Sequence, residues 1–459
     1  MKQILIKFFS FLSCFILLLQ VGNAQEEWTL KQCLDYVEQH NIQLRQGQLS
    51  AEMANMQVEQ TKYSLGPNLN SNVDLGLNIG RNVDPTTYQF VNQTTFTNQY
   101  GLSVNQTIFA GLAKLKTIEK GKLDYKAIKL DNEALLTNIQ LNVLTAYLNI
   151  LNAEEQIVKT KNTQKSTLAQ YERTKTLIKA GALAERAIVD IEAQMANEES
   201  TLVALQNQLE FAYNSLNNLL QLGNDKNIRV IKPNFPEIDM NKEIPSTYNV
   251  YVKALMTRPE IKSQNIRIES AKKSIEIAKA DKMPTISFFA NSNTGFSNQA
   301  RQFLFNPVDP QNPIVSKVKY GKQLNDNFGF NTGIRLTVPI FNGRAPYFSN
   351  KSAQFGVANA ELNLKNAELQ FYQTIQQANQ RAETALKTYE IALKTLKSAE
   401  NSLAYAKDRL DRGVLTQLEY NLAKNNRDVV ESQVTQAKYE YIFSTKVLDF
   451  YMGNDLTLE

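Results

Sequence analysis

The sequence predicts a mixed α+β chain: long antiparallel coiled-coil helices, plus four amphipathic strands that several copies would pool in one transmembrane β-barrel. Three observations lead there. The chain repeats itself. Each repeat holds helices longer than ordinary globular helices. Four segments alternate apolar and polar residues over the length a tilted membrane strand needs.

The chain carries an internal duplication, the mark of a repeat architecture. At a shift of 217 residues, Glu52, Ala54, Glu59, Lys62 and Pro67 fall on Glu269, Ala271, Glu276, Lys279 and Pro284. At a shift of 232, Gly101, Ile108, Phe109 and Gly111 fall on Gly333, Ile340, Phe341 and Gly343, and Leu130, Ala146, Gly181 and Leu183 on Leu362, Ala378, Gly413 and Leu415. The second half therefore carries 15 extra residues between Pro284 and Ile340. Each half reads helix, strand, loop, strand, long helix, turn, helix.

The long helix of the first half is expected from Gly111 to Gly181. Ile128, Leu135, Ile139, Val143, Ala146, Ile150, Ala153 and Ile157 are spaced by 7, 4, 4, 3, 4, 3 and 4 residues, the seam of a coiled coil. Seventy residues of helix span about 105 Å at ~1.5 Å per residue. Shorter partners are expected over Leu30–Leu65 and Leu183–Leu222, and in the second half near Tyr248–Lys282 and Val414–Tyr451 around a long helix from Gly343 to Gly413.

Residues 1–24 read as a secretory signal peptide. Lys2 and Lys7 flank and interrupt an apolar run, Phe8 to Leu19, that is short for a membrane helix, and Gly22-Asn23-Ala24 offers small residues for cleavage before Gln25. The first repeat then occupies 25–222 and the second 247–459. Between them, 223–246 holds Pro233, Pro236 and Pro245 and no sustained period. It reads as a linker, with room for a short helix or strand against the outside of the coils. No apolar stretch after the leader approaches the length of a membrane helix, so entry into a membrane requires a β-barrel.

The strands are expected at about 68–80, 99–108, 285–296 and 328–340. In the first, Leu69, Val73, Leu75, Leu77 and Ile79 oppose Asn68, Asn70, Asn72, Asp74, Gly76 and Asn78. In the second, Tyr100, Leu102, Val104 and Ile108 oppose Gln99, Gly101, Ser103, Asn105 and Thr107. The third sets Ile286, Phe288, Ala290 and Phe296 against Thr285, Ser287, Asn291, Asn293 and Gly295; the fourth sets Phe328, Phe330, Ile334, Leu336, Val338 and Ile340 against Gly329, Asn331, Gly333, Arg335 and Thr337. A soluble sheet with one wet face would alternate too. Strand length, an amide- and glycine-rich polar face with few charges, and export together favour a barrel. Leu75, Leu77, Leu102, Phe288 and Leu336 would then face lipid. Four strands cannot close a barrel, since bacterial barrels start at about eight. Several copies must contribute, and two, three or four all satisfy the physics.

Other functions are excluded or weakened. Beyond the leader the chain holds one cysteine, Cys33, and one histidine, His40. That leaves no internal disulfide and too few ligands for zinc; no metal or cofactor is expected. Without Lys2 and Lys7 there are 48 basic against 45 acidic residues, no footprint for nucleic acid. There is no phosphate-binding glycine loop and no nucleophile–His–Asp set, so no enzyme is expected. Carboxylate pairs such as Glu154 and Glu155 read as solvated coil positions. A pore-free periplasmic coiled coil would explain the helices but not the strands.

In the order of its elements, its duplication and its local signatures, the chain resembles the TolC-like outer-membrane efflux protein family. The signatures are the opening WTLKQCLDYVEQHNIQL, the corners QTIFAG (Gln106–Gly111) and VPIFNG (Val338–Gly343), and the tip motifs KAGALAE and DRGVLTQLEYNLA. The resemblance covers essentially the whole chain after the leader. It implies a homotrimer with one twelve-stranded barrel in outer-membrane lipid. It also implies an α-barrel tunnel across the periplasm towards an adaptor protein and an inner-membrane pump, with small toxic molecules, drugs or metals as cargo, or a protein in a type I secretion system. By the same resemblance, Ala180, Gly181 and Ala182, and Arg412, Gly413 and Val414, form the tips where adaptor helices dock. Glu419 matches the first acidic position of the tunnel mouth, Leu422 stands where the family's second would fall, and Asp190 is the weaker candidate after the first tip.

Overall fold

The computed structural model describes residues 26–83, 88–92, 94–223, 228–233, 238, 243–305, 307–311, 314–454 and 456. The leader, Pro236 and part of the expected linker lie outside the described residues. The first half runs β1 (Glu26–Trp28), α1 (Leu30–His40), α2 (Ile42–Tyr63), β2 (Asn68–Asn78), β3 (Arg81–Val83), β4 (Phe90–Asn92), β5 (Thr95–Ala110), α3 (Ala113–Lys179) and α4 (Arg186–Leu220). After β6 (Ile228–Val230) the second half runs α5 (Thr247–Thr257), α6 (Pro259–Ala280), β7 (Thr285–Ser297), β8 (Arg301–Leu304), β9 (Ile314–Lys317), α7 (Tyr320–Asp326), β10 (Gly329–Thr337), α8 (Ala345–Asp411) and α9 (Gln417–Tyr451). The long helices α3 and α8 have 67 residues each, and α4 and α9 have 35 each.

Two compact units cut across the repeats. One comprises Met1–Leu49, Lys129–Ser263 and Lys365–Glu459; the other comprises Ser50–Ile128 and Gln264–Leu364. The first is helical. Of the predicted α3 seam, Ile139, Val143, Ala146, Ile150, Ala153 and Ile157 are buried. Ile139, Val143, Ala146 and Ile150 join Leu30, Cys33, Leu34 and Val37 of α1, Leu216 and Leu220 of α4 and Tyr439 and Ile442 of α9 in one core. Burial there pushes the Cys33 thiol up to about 12, so it is an inert core residue. Contrary to the expectation of no such stretch, among the described residues one helix, α3, contains a stretch long and apolar enough to cross a membrane; more than half of it is buried within the protein, as in a core helix.

The segment read as a linker does hold a short strand, and that strand contributes to this core. β6 pairs in parallel with β1, and Ile228 and Val230 are buried. The Tyr147 hydroxyl donates to the carbonyls of Trp28 and Ile231 at 3.3 and 2.5 Å, tying both strands to α3. Glu154 and Glu155 are likewise not idle surface charges. They accept from the hydroxyls of Tyr213 and Tyr439 at 2.9 and 2.8 Å, pinning α4 and α9 to α3.

Each repeat breaks its short helix at the same place, Asn41 and Arg258 being 217 residues apart. Asn41 leaves helical geometry and its carboxamide oxygen accepts from the amides of Gln43 and Leu44, starting a new helix as an N-cap does. In the second half Pro259 opens α6, where its missing N–H is harmless. Arg258 is buried there, paired with Glu260 at 3.1 Å and stacked over Phe450 at 4.9 Å.

The second unit holds the sheet, antiparallel in the order β10-β7-β5-β2. β10 stops at Thr337, short of the expected 340, because Pro339 cannot donate to a ladder. β5 is longer than expected and carries a bulge: Thr107 pairs with Ser287 and Phe109 with Ile286, leaving Ile108 unpaired. At the outgoing corners, Gly111-Leu112 and Gly343-Arg344 all have φ between 56° and 65°. A Cβ on Gly111 would also lie 2.8 Å from Met283 Cβ, so glycine is required there twice over. The 15 extra residues of the second half fall in the segment that forms the β8–β9 hairpin and α7.

Candidate channel-forming surfaces and helix tips

Register assigns the two faces of the sheet. Directly opposed residues share a face, so Asn70, Ser103, Asn291 and Asn331 form one row, and Asn72, Gly101, Asn293 and Gly329 the next. The same face continues through Asp74, Gln99 and Gly295 on one side and Thr107, Ser287 and Arg335 on the other. The opposite face carries Leu69, Val104 and Ala290, then Leu102, Ser292 and Phe330, then Val73 and Tyr100. All five residues expected to face lipid lie on it. Leu75, Leu77 and Leu336 are each more than 60% exposed and Leu102 is 46% exposed, while Phe288 on the inner strand β7 is half-buried; an exposed apolar patch of this kind marks a surface that meets a partner or lipid.

The edges are as informative as the faces. β2 and β10 each have one neighbour in the sheet, so both present unpaired backbone groups. Elsewhere the chain protects its edges. β7 runs past the start of β10, and there α7 takes the missing strand's place: the buried Gln323 carboxamide accepts from the Ser297 amide (2.9 Å) and donates to its carbonyl (3.0 Å), and Asn327 donates to the Gly295 carbonyl (2.7 Å).

The helix tips are built alike. Gly181 and Gly413 both have φ +72°, which closes the same C-terminal motif. Ala182 N–H donates to the Leu177 carbonyl and Gly181 N–H to Ile178; Val414 donates to Arg409 and Gly413 to Leu410, all at 2.9 Å. Ala180, Gly181, Ala182, Arg412, Gly413 and Val414 are exposed. Arg412 is paired with Asp408 of its own helix at 3.0 Å, so any contact it makes starts from an existing, solvent-screened pair.

The model of the Outer membrane efflux protein family matches residues 34–221 and 250–454. The chain belongs to that family. It is an outer-membrane efflux protein and not an enzyme. The Toxin and drug export protein A of Aggregatibacter actinomycetemcomitans is 25% identical over 206 residues, which is 44% of this chain and 43% of that relative, so the match spans less than half of either. Among solved structures, the fold is similar to the CmeC outer membrane channel of Campylobacter jejuni (20% identity, TM-score 0.73, 93% of this chain and 86% of that one). It is similar also to the outer membrane protein VceC of Vibrio cholerae (15%, 0.73, 93% and 97%) and the open-state MtrE outer membrane channel of Neisseria gonorrhoeae (17%, 0.71, 94% and 90%). At such identities these likenesses establish the fold alone.

Within this efflux protein, Glu419 has a local partner. It is the third residue of a capping box: its carboxylate accepts from the Thr416 amide and hydroxyl at 2.9 and 2.7 Å while its own amide donates back to that hydroxyl. The Thr416 amide, then its hydroxyl, hold the carboxyl below its ordinary range. Asp190 sits half-exposed in α4, whose start has no side-chain cap. The tips therefore differ in chemistry although their turns coincide. Two features escaped the sequence reading. One is a polar network near the tips: Thr167 donates to Glu198 at 2.7 Å, and the buried Lys424 donates to Thr167 at 2.8 Å. The other is Phe289, an aromatic residue on the polar face of the sheet. Lys424 was invisible because a lysine in a coil reads as solvated, and Phe289 because it adjoins Phe288, which satisfied the pattern.

Proposed function

We infer that three copies pool their strands into one twelve-stranded barrel in the outer membrane, with the polar faces lining the lumen and the helices forming a periplasmic tunnel. The observation that carries this is the sheet itself: four strands, two unpaired edges, and one face apolar and exposed. Lipid tolerates neither open edges nor fewer strands than close a barrel. The number three comes from the family resemblance. Through this conduit the protein exports small toxic compounds, drugs or metals, received from an inner-membrane pump through an adaptor that meets the exposed tips at Gly181 and Gly413. The leader is removed before Gln25. A protein cargo is the second reading, favoured by the export relative whose name includes both toxins and drugs. Native mass spectrometry in detergent should give a trimer; a stable folded monomer would overturn the reading. Pull-down of the inner-membrane partner then separates the cargoes, a drug pump supporting the first and a peptide or protein transporter the second.

A further inference from the structure

Of the residues on the polar face of the sheet, only Asp74 and Arg335 carry charge, and three rows of that face lie between theirs. Asp74 already accepts from Asn72 at 2.8 Å. Among the described residues no carboxylate pairs with Arg335, which is exposed. Its guanidinium lies over the ring of Phe289, 5.2 Å from the centroid. That ring in turn covers Gly333, where a Cβ would come within 3.0 Å of Phe289 Cζ. Covering a strand glycine with an aromatic ring is a known way to stabilise a sheet. It accounts for the ring's position but not for an unpaired guanidinium laid across it. Phe289 is only half-buried and Arg335 exposed, so part of the ring and the positive charge are open to solvent side by side. The platform has no counterpart in the first repeat, where the residue 232 positions before Arg335 is Ser103.

The geometry points to a binding station for aromatic anions on the channel wall: Arg335 supplies the charge and Phe289 the stacking surface. The inference rests on the polar face lining the lumen. In a barrel shared by several copies, each contributes one such station, at the same height and near the strand ends that lead into α3 and α8. The stations form a ring that concentrates anions and holds planar ones, so cargo carrying an aromatic ring and a carboxylate or sulfonate is favoured in transit.

The test uses the full-length protein in planar bilayers, with 1-naphthalenesulfonate as the aromatic anion and cyclohexanesulfonate as its non-aromatic counterpart. The wild type should be blocked more strongly by the naphthalene compound. Arg335→Gln should raise the half-blocking concentration of both, and Phe289→Leu that of the aromatic one alone, each by about two- to fivefold. Arg335→Glu should lower the anion-to-cation permeability ratio. As a control for the face, Asn331→Cys should change conductance on reaction with a charged thiol reagent; the native Cys33 is buried. If Asn331→Cys responds while block and permeability ratio are unchanged in the Arg335 and Phe289 variants, the station is overturned and the channel reading stands. If Asn331→Cys is also silent, the face assignment falls and takes the station with it.

Discussion

Leu102 and Ser103 are neighbours on the central strand β5 and face opposite sides of the sheet, so the pair tests which side meets lipid. The apolar face has seven rows, from Phe109, Ile286 and Leu336 at one end to Leu77 and Phe96 at the other, and Leu102 with Ser71, Ser292 and Phe330 occupies the fourth. Same-face rows are about 6.8 Å apart at ~3.4 Å per residue. Six intervals therefore cover about 41 Å along the strand, or roughly 31 Å of height at a ~40° tilt, close to the hydrocarbon thickness. Leu102 then lies at the midplane, where an arginine costs ~2–4 kcal/mol, while Leu77 and Leu336 lie near the interfaces, where it costs ~0–1 kcal/mol. Leu102→Arg should lower the folding equilibrium by roughly 30- to 1000-fold, and Leu336→Arg, Leu77→Arg and Ser103→Arg by about fivefold at most. Urea titration of the purified protein in lipid vesicles, read as the fraction migrating as heat-modifiable oligomer, measures all four. Equal losses for Leu102→Arg and Ser103→Arg would refute the face assignment. A Leu336→Arg loss as large as that of Leu102→Arg would refute the depth.

Gly181→Trp and Gly413→Trp should abolish export while leaving oligomer and membrane insertion intact, because nothing lies near either Cβ direction and the turns are exposed. Gly413→Ala, which pays about the same ~1 kcal/mol for positive φ without the bulk, should export normally; equal export by the Trp and Ala variants places docking elsewhere. Glu419→Gln keeps an acceptor for the capping box but removes the charge, so it should alter cation preference in planar bilayers if the carboxylate lines the mouth, and Glu419→Ala should in addition loosen the start of α9. Since hydrogen bonds hold the Glu419 pKa below its unfolded value, the stabilisation is complete above the ordinary carboxylate range and fades as pH falls through the depressed folded value, which amide exchange at α9 against pH would track. Asn41→Ala should cost about 1–3 kcal/mol in thermal melts, because it removes the cap of α2 and leaves the Leu219 carbonyl without its 3.3 Å donor; Asn41→Ser should recover part of that, and a neutral Asn41→Ala would show that the break is set elsewhere.

What was legible in the sequence and what was not divides along periodicity. The α3 seam, the four strands and the positive-φ tip glycines repeat at fixed spacings, and each spacing has one structural meaning. The two faces of each strand followed as well, because the pleat puts alternate residues on opposite sides, whereas the strand order and register did not. The failures are residues whose roles depend on a partner far along the chain. Tyr213 and Tyr439 turn Glu154 and Glu155 from surface charges into anchors, yet they lie 59 and 284 residues from them. The burial of β6 was not legible because three residues among prolines carry no period; it depends on pairing with β1 at the other end of the first repeat.

The two halves also show how far duplication constrains chemistry. Helix lengths, tip dihedrals and the 217-residue spacing of the helix breaks are shared. The side chains that enforce them are not. Asn41 caps by hydrogen bonding where Arg258 stacks on Phe450, and α9 starts in a capping box where α4 starts without one. The shared quantities are backbone geometry, which both halves must match for their helices to run side by side at equal length. The divergent ones sit where a second solution satisfies the same backbone. Arg335 belongs to neither group: it answers no backbone requirement, and residue 103, its equivalent in the first repeat, is a serine on the same face of the same sheet. Arg335 is the one positive charge on a face whose other residues are Asp74, Phe289, amides, hydroxyls and glycines, and the proposed anion station accounts for it where packing does not.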